Sequence, residues 1–374
     1  MRFLIITHVR HKLQGGHYFG YGPYVREMNL WLKHVEQVEV IAPLVSSKIT
    51  DIDLPYEHDC LRFTKIPNIS CINIKELLRA LWFVPLIMFQ IIKACKRADH
   101  IHLRCPGNIG LLGCIIQVFF PKKLKTAKYA GNWDPKAKQP LSYRFQKWIL
   151  SQTVLTRNIQ VLVYGIWPNQ SKNIKSFFTA SFSEIDKCEV RPRNYIDNLN
   201  FVFVGALVEG KRPDFAIKLV QAIHEQGLNV HLDLYGDGIL KESLHDYVRN
   251  SNLVKFIKFH GYTSPSEMKQ ILQQADFLIL ASKSEGWPKA IAEAMFFGVI
   301  PVATSVSCVP YMLGYGERGI LIDADINSAL LTLNNCLVNL EDLKMMATLA
   351  SAWSQKYTLE RFEIEIKQLL YPNS

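Results

Sequence analysis

Short apolar runs of strand length alternate with amphipathic helical stretches along this chain, and the alternation starts afresh after residue 200. That pattern narrows the fold more than any other feature of the sequence. Parallel strands need a crossover between them, and the crossover is usually a helix packed on the sheet. Strands are predicted at 2–7, 38–43, 61–65, 100–103, 125–129 and 160–163, then at 201–204, 230–235, 257–259, 277–280 and 300–303. Helices are predicted at 24–33, 75–97, 143–151, 213–226, 239–250, 266–274 and 288–298. The polar stretch 187–200 reads as a linker, so the 374 residues form two α/β domains. Each is expected to be a doubly wound, Rossmann-like sheet, the two facing each other across a cleft. Ligands of such sheets sit at the carboxyl ends of the strands.

The net charge of +10 is concentrated in the first 195 residues, most densely over 62–147, while the remainder is net acidic. A one-sided basic domain calls for a polyanionic partner, a membrane surface or nucleic acid. Recognisable basic–aromatic interleaving is missing, which argues against nucleic acid. The apolar stretch 77–92 is flanked by Lys75, Arg79, Lys93, Lys96 and Arg97. It reads as a helix buried on the sheet, or as an interfacial helix with basic flanks on anionic headgroups. Lys122, Lys123, Lys125 and Lys128 would extend the same basic surface. Eight cysteines show no CxxC pair, which speaks for a reducing compartment and against zinc or a disulfide framework. The apolar N-terminal run is too short for a signal peptide and reads as a strand. No uncharged apolar run is long enough to span a bilayer.

The densest chemistry lies in Ser284-Glu285-Gly286-Trp287-Pro288-Lys289-Ala290-Ile291-Ala292-Glu293. Glu285 falls on a strand-to-helix loop. Pro288 is favoured at a first helical position, and Glu293 follows within that helix. A helix N-terminus binds anions. A carboxylate set beside one fits a ligand carrying both phosphate and hydroxyl groups, as a nucleotide sugar does. Upstream, Gly205 ends a strand and Lys211 precedes a helix opened by Pro213, a pairing suited to phosphate or to an ordinary exposed loop. Residues 13–23, with Gly15, Gly16, Gly20 and Gly22, form a flexible Gly-rich loop after the first strand. Its amides suit a sugar or phosphate, and its aromatic residues suit a sugar face. The loop is not a GxGxxG fingerprint, which excludes a dehydrogenase. Gly236 to Gly238, then His260-Gly261-Tyr262, are tight turns or walls of a base pocket. His100 and His102 read as core histidines rather than metal ligands. Arg104 ends its strand facing the cleft, and Asn132 and Asp134 hold acceptor hydroxyls or form Asx-turns.

Together these residues resemble the retaining glycosyltransferases of family four, the group 1 glycosyl transferases with the GT-B fold. The likeness is strong over 200–325 and looser over 1–195, and 358–370 resembles the family's last helix, which crosses back to the first domain. The resemblance implies an acceptor-binding domain over 1–190, a nucleotide-sugar domain over 196–355, and a returning helix over 356–374. It implies Lys211 on the donor diphosphate, Glu285 on the sugar hydroxyls, Glu293 on the ribose, and the amides of Lys289 and Ala290 on phosphate. Gly15 and Gly16 would close on the donor. Gly205, Arg212, Gly236, Tyr262, Gly286 and Trp287 complete its expected surround, and His17, Tyr18, Asn132 and Asp134 the acceptor's. Lys211, Glu285 and Arg104 are the expected catalytic residues. Two departures stand out. Ala206 occupies a position where many relatives carry a second phosphate-binding Arg. Arg104 stands where many carry His, and an arginine stays protonated.

The expected activity is transfer from a UDP- or GDP-sugar to a lipid-linked saccharide in capsule or surface glycan biosynthesis. It is expected to need no metal and to occur on the cytoplasmic face of the membrane. The alternatives are an inactive sugar-nucleotide-binding homologue, an epimerase of the same fold, and a phosphorylase with a pyridoxal lysine.

Overall fold

The computed structural model describes residues 1–50, 52–69 and 74–372. Two compact units emerge: residues 1–178 joined by the chain from Phe362 onward, and residues 179–361. The first crossing therefore falls at 178, ahead of the predicted 190, because Phe182 already packs on Phe296 and Phe297, with ring centroids 5.0 and 4.9 Å away. The return falls at 362 rather than 356. Phe362 lies 5.4 Å from Phe177 and 5.6 Å from Phe178.

The first unit contains β1 (Arg2–Ile6), β2 (Lys12–Gln14), β3 (His17–Tyr21), β4 (Gln37–Pro43), β5 (Asp53–Pro55), β6 (Leu61–Ile66), β7 (His100–Cys105), β8 (Leu124–Tyr129), β9 (Ile159–Tyr164) and β10 (Ile174–Phe177). Its helices are α1 (Gly22–Leu32), α2 (Ile74–Arg97), α3 (Asn108–Ile116) and α4 (Leu141–Ser151). Among the described residues the main sheet runs β10-β9-β8-β7-β1-β4-β6, and every pairing is parallel. Strand order reverses between β1 and β7, which places a binding crevice at their carboxyl ends.

The second unit contains β11 (Leu199–Val204), β12 (Val230–Tyr235), β13 (Ile257–Gly261), β14 (Phe277–Leu280), β15 (Ile300–Thr304) and β16 (Ile320–Ile322). They pair in parallel in the order β13-β12-β11-β14-β15-β16. The helices are α5 (Pro213–Glu225), α6 (Lys241–Asn250), α7 (Pro265–Gln274), α8 (Lys289–Phe296), α9 (Val309–Met312), α10 (Ile326–Leu337), α11 (Leu340–Ser354) and α12 (Leu359–Leu370), whose residues from Phe362 on join the first unit. All four residues of β14 are buried, as expected for a central parallel strand covered on both faces. Ser264 and Glu267 form a reciprocal capping box that starts α7. Here the switch point lies between β11 and β14.

Residues 12–21 are a hairpin, not the flexible loop predicted from their glycines. β2 and β3 pair antiparallel, with Gln14 opposite His17. The two-residue turn is Gly15-Gly16, at φ +58° and +81°. A type I′ turn needs left-handed backbone at both positions, so the glycines serve order here. Tyr18 stacks on Phe63 with ring centroids 4.3 Å apart.

Two lysines assigned to a basic surface are interior. Lys125 is buried and donates to the carbonyls of Gln117 and Phe120, and burial lowers its pKa to about 8. Lys128 is buried too. Its ammonium donates to the Phe178 carbonyl at 2.9 Å and lies 4.4 to 4.6 Å from the ring centres of Phe177 and Tyr164. Charge along a sequence says nothing of which way a strand residue faces, and both lie on β8 in the middle of the sheet.

The alternating histidines of β7 are core residues, as predicted. His100 Nε2 and His102 Nδ1 each lie 2.9 Å from Thr126 Oγ1. Burial lowers the pKa of His100 to about 3 and that of His11 to about 4. Both are depressed below the ordinary 6.5, so the unfolded chain binds protons first as pH falls. Stability is complete above about pH 6.5 and is lost on acidification toward pH 4, by about 3 kcal/mol for His11 alone. Urea unfolding between pH 7 and 4 checks this, and a midpoint that stays level down to pH 5 refutes it.

Candidate active site

At the switch point of the second unit, Lys211 and Glu285 meet. Lys211 follows the turn after β11, and Glu285 lies on the loop between β14 and α8. Their side chains pair at 2.5 Å, with Lys211 one-third exposed and Glu285 nearly buried. Sequence reasoning placed both residues at the site without foreseeing that they neutralise each other. Glu285 is fixed from behind, since its backbone N–H donates to Ser307 Oγ at 2.9 Å. The Gly286 carbonyl accepts from Cys308 Sγ. Burial, and next the Glu285 charge, push the Cys308 thiol pKa up, so it stays protonated and donates.

The loops that carry these groups are locked backbone to backbone. Gly205 N–H donates to Tyr235 O, and Leu207 N–H to Asp237 O, both at 2.9 Å. Gly236, at φ +134°, sits so close to this turn that a Cβ would lie 2.0 Å from the Gly205 carbonyl oxygen. A Cβ on Gly238 would lie 2.4 Å from the Leu207 carbonyl oxygen. These glycines thus permit the close packing of two βα loops, and the Lys211 loop takes its shape from that packing. Lys283 N–H donates to Gly210 O and ties the β14 loop to the same turn.

α8 begins one residue later than predicted. Pro288 is the N-cap and Lys289 the first helical residue. The amides of Lys289 and Ala290 open the helix beside Gly286, so the positive end of its dipole faces the loop that bears Glu285. Glu293, one turn further on, accepts from Ser181 Oγ at 2.5 Å. Ser181 is a partner that no sequence signal marked. Two expected contributors face elsewhere. The Arg212 guanidinium donates to the Ala324 carbonyl at 3.3 Å and lies over the Phe215 ring, because Arg212 is a left-handed N-cap that turns it toward the loop after β16. The Trp287 indole is buried against Trp353 and Tyr357, with centroids 6.0 and 5.7 Å away, which leaves its backbone for the loop. Tyr262 is exposed after β13, where Tyr235 stacks on His260 at 4.7 Å.

The first unit gathers a second polar group at its own switch point. Arg104, at the end of β7, lies 3.8 Å from the buried carboxylate of Glu27 and over the Tyr24 ring at 5.3 Å. His8, just past β1, went unmarked in the sequence. It is hydrogen-bonded to the Arg104 backbone, and partial burial and the Arg104 charge hold its pKa below the usual range. Its ring crowds Gly107 so tightly that a Cβ there would stand 2.6 Å from His8 Nδ1. A neutral imidazole thus sits beside a guanidinium. Asn132 and Asp134 form successive Asx-turns, with Asn132 Oδ1 accepting from Asp134 N–H and Asp134 Oδ1 from Lys136 N–H, each at 2.8 Å. His17 is exposed on the hairpin.

Comparison with known proteins bears on the family and on the fold. Residues 189–347 match the family model described as glycosyl transferases group 1. The chain is 28% identical over 138 residues to a putative colanic acid biosynthesis glycosyltransferase, WcaL, of Salmonella typhimurium, covering 35% of this chain and 34% of that protein. It is 28% identical over 127 residues to the amylovoran biosynthesis glycosyltransferase AmsK of Erwinia amylovora, 32% and 31% of the two chains. The matches thus span about a third of each relative's length. The Anabaena protein HepE, solved in complex with UDP and glucose, superposes over 100% of both chains with TM-score 0.68 at 14% identity. The fold is GT-B.

Proposed function

We propose that this chain, whose residues 189–347 match the model of the group 1 glycosyl transferases, is a retaining glycosyltransferase that moves a sugar from a nucleotide diphosphate to a saccharide acceptor carried on a lipid. The observation that carries the reading is the Lys211–Glu285 pair beside the start of α8, at the switch point of the second sheet. The names of WcaL and AmsK favour a place in surface polysaccharide biosynthesis, and the UDP held by HepE favours a nucleotide-sugar donor. Work at the inner face of the membrane, on capsule or a related glycan, goes with such an acceptor.

In the resting site Lys211 and Glu285 satisfy each other. An arriving diphosphate competes for the ammonium, and Glu285 is released to accept hydrogen bonds from the sugar. As the glycosidic bond to phosphate breaks, negative charge grows on the leaving oxygen. Lys211 and the first amides of α8 are fixed opposite that charge. The leaving phosphate takes the acceptor hydroxyl's proton on the same face of the sugar, so the anomeric configuration is kept. Because protein groups carry the charge, transfer proceeds without a metal, and EDTA is expected to leave turnover unchanged within about twofold. Turnover restored only by Mg²⁺ overturns this part.

Thermal unfolding in the presence of UDP, GDP, ADP and CMP tests the site, since a ligand of the native state raises the midpoint by mass action. One nucleotide is expected to raise it, and Lys211→Ala to abolish the rise. Two observations favour a second reading, a binding protein without turnover. Ala206 offers no charge and the Arg212 guanidinium is engaged elsewhere. Nucleotide binding with no transfer to any acceptor would select it.

A further inference from the structure

The crossovers through α2, α3 and α4 all advance the first sheet in one direction, from β6 past β7 and β8 to β9. Right-handed connections then lay the three helices side by side on one face, with α3 touching both neighbours. Their inner sides share a core that includes Ile87, Ile91 and Cys95 of α2 and Ile149 and Leu150 of α4.

The outer sides are apolar as well. α2 shows Trp82, Leu86 and Phe89 at helical spacing, with Trp82 82% exposed. α4 shows Leu141, Phe145 and Trp148, the last two stacked at 5.6 Å. The stripe on α2 runs on into Lys93, whose ammonium covers the Phe89 ring at 4.4 Å, and then Lys96. Arg144 is exposed on α4 between Leu141 and Phe145. Between Glu76 and Glu184 the acidic residues of the sequence are Asp99 and Asp134 alone. Asp99 accepts from the Arg2 backbone N–H, and Asp134 closes its Asx-turn.

An exposed apolar face edged by cations fits one occupant best. A second copy of the chain would set like charges against each other. A layer with an apolar interior and anionic headgroups matches both features, and tryptophan favours that boundary. We propose that the outer face of α2 and α4 seats on an anionic phospholipid surface, with Trp82, Leu86, Phe89, Leu141, Phe145 and Trp148 entering the headgroup boundary. This goes beyond the transferase reading and does not need it, because vesicle binding is read without donor or acceptor. It also relocates the contact from Lys122, Lys123 and Lys125.

The experiment is cosedimentation of the full chain with phosphatidylglycerol-containing vesicles and with pure phosphatidylcholine. Preferential binding to the anionic vesicles is expected, with at least a roughly tenfold loss in W82S/F89S/F145S/W148S and little change in K122Q/K123Q. W82F/W148F keeps the packing and the binding. It is expected to lose the tryptophan quenching that acyl-brominated lipid produces in the unmodified chain. Three outcomes overturn the proposal: no vesicle binding by the unmodified chain, undiminished binding by the fourfold variant, or a dimer in sedimentation equilibrium that the same substitutions dissolve.

Discussion

Lys211→Ala is expected to lower turnover by roughly 10²–10³-fold, the usual consequence of removing one fixed donor from a developing oxyanion. The structure makes this more than a lost charge. Glu285 is nearly buried, and its partner at 2.5 Å is Lys211. Removing the lysine strands a carboxylate that solvent hardly reaches, which costs stability as well as rate. Lys211→Ala with Glu285→Gln separates the two effects. The double variant is expected to regain stability and to remain as slow as the single one. Near-normal turnover by Lys211→Ala on any donor that the chain uses would sink the assignment.

Gly236→Val should cost the second unit stability rather than chemistry. At φ +134° any side chain is strained, and its Cβ would meet a backbone oxygen at 2.0 Å. Backbone cannot rotate away as a flexible side chain can. The β11 and β12 loops must part, breaking the Gly205–Tyr235 and Leu207–Asp237 hydrogen bonds. A loss of about 3 kcal/mol or more is expected, from strain and overpacking together. Urea denaturation measures it. The same change at Gly210, where a Cβ meets nothing within 4 Å, is the control. Equal stability of the two variants would contradict this account of the glycine.

Much of the architecture was legible because periodicity reports burial directly. β14 and β12 match their predicted spans, and the restart after residue 200 reflects a second sheet. What escaped was written in other terms. β2, β3 and β5 are three to five residues long, and the Gly15-Gly16 turn that orders them has the composition of a mobile loop. α3 leaves no helical signature, because Asn108–Ile116 is apolar nearly all round and shows little periodicity. At the site, spacing revealed Lys211, Glu285 and Glu293, since loop and helix starts bring them near one sheet edge. Their mutual contacts depend on rotamers and on distant residues such as Ser181 and Ser307, which no local pattern signals. His8 shows the same limit. One histidine after a strand carries no message until β7 folds beside it and brings Arg104 and Gly107 against its ring.

The first unit is discontinuous along the chain. Phe362, Ile366 and Leu370 are buried in it, Glu365 pairs with Lys175 at 2.7 Å, and Glu363 meets His34 at 2.9 Å. These residues are synthesised only after the whole second unit. On the ribosome, residues 1–178 therefore wait with an unfinished surface around Phe177 while 179–361 emerge and fold. The order of completion is the reverse of the order of synthesis: the later unit can close first, and its closure delivers the helix that finishes the earlier one.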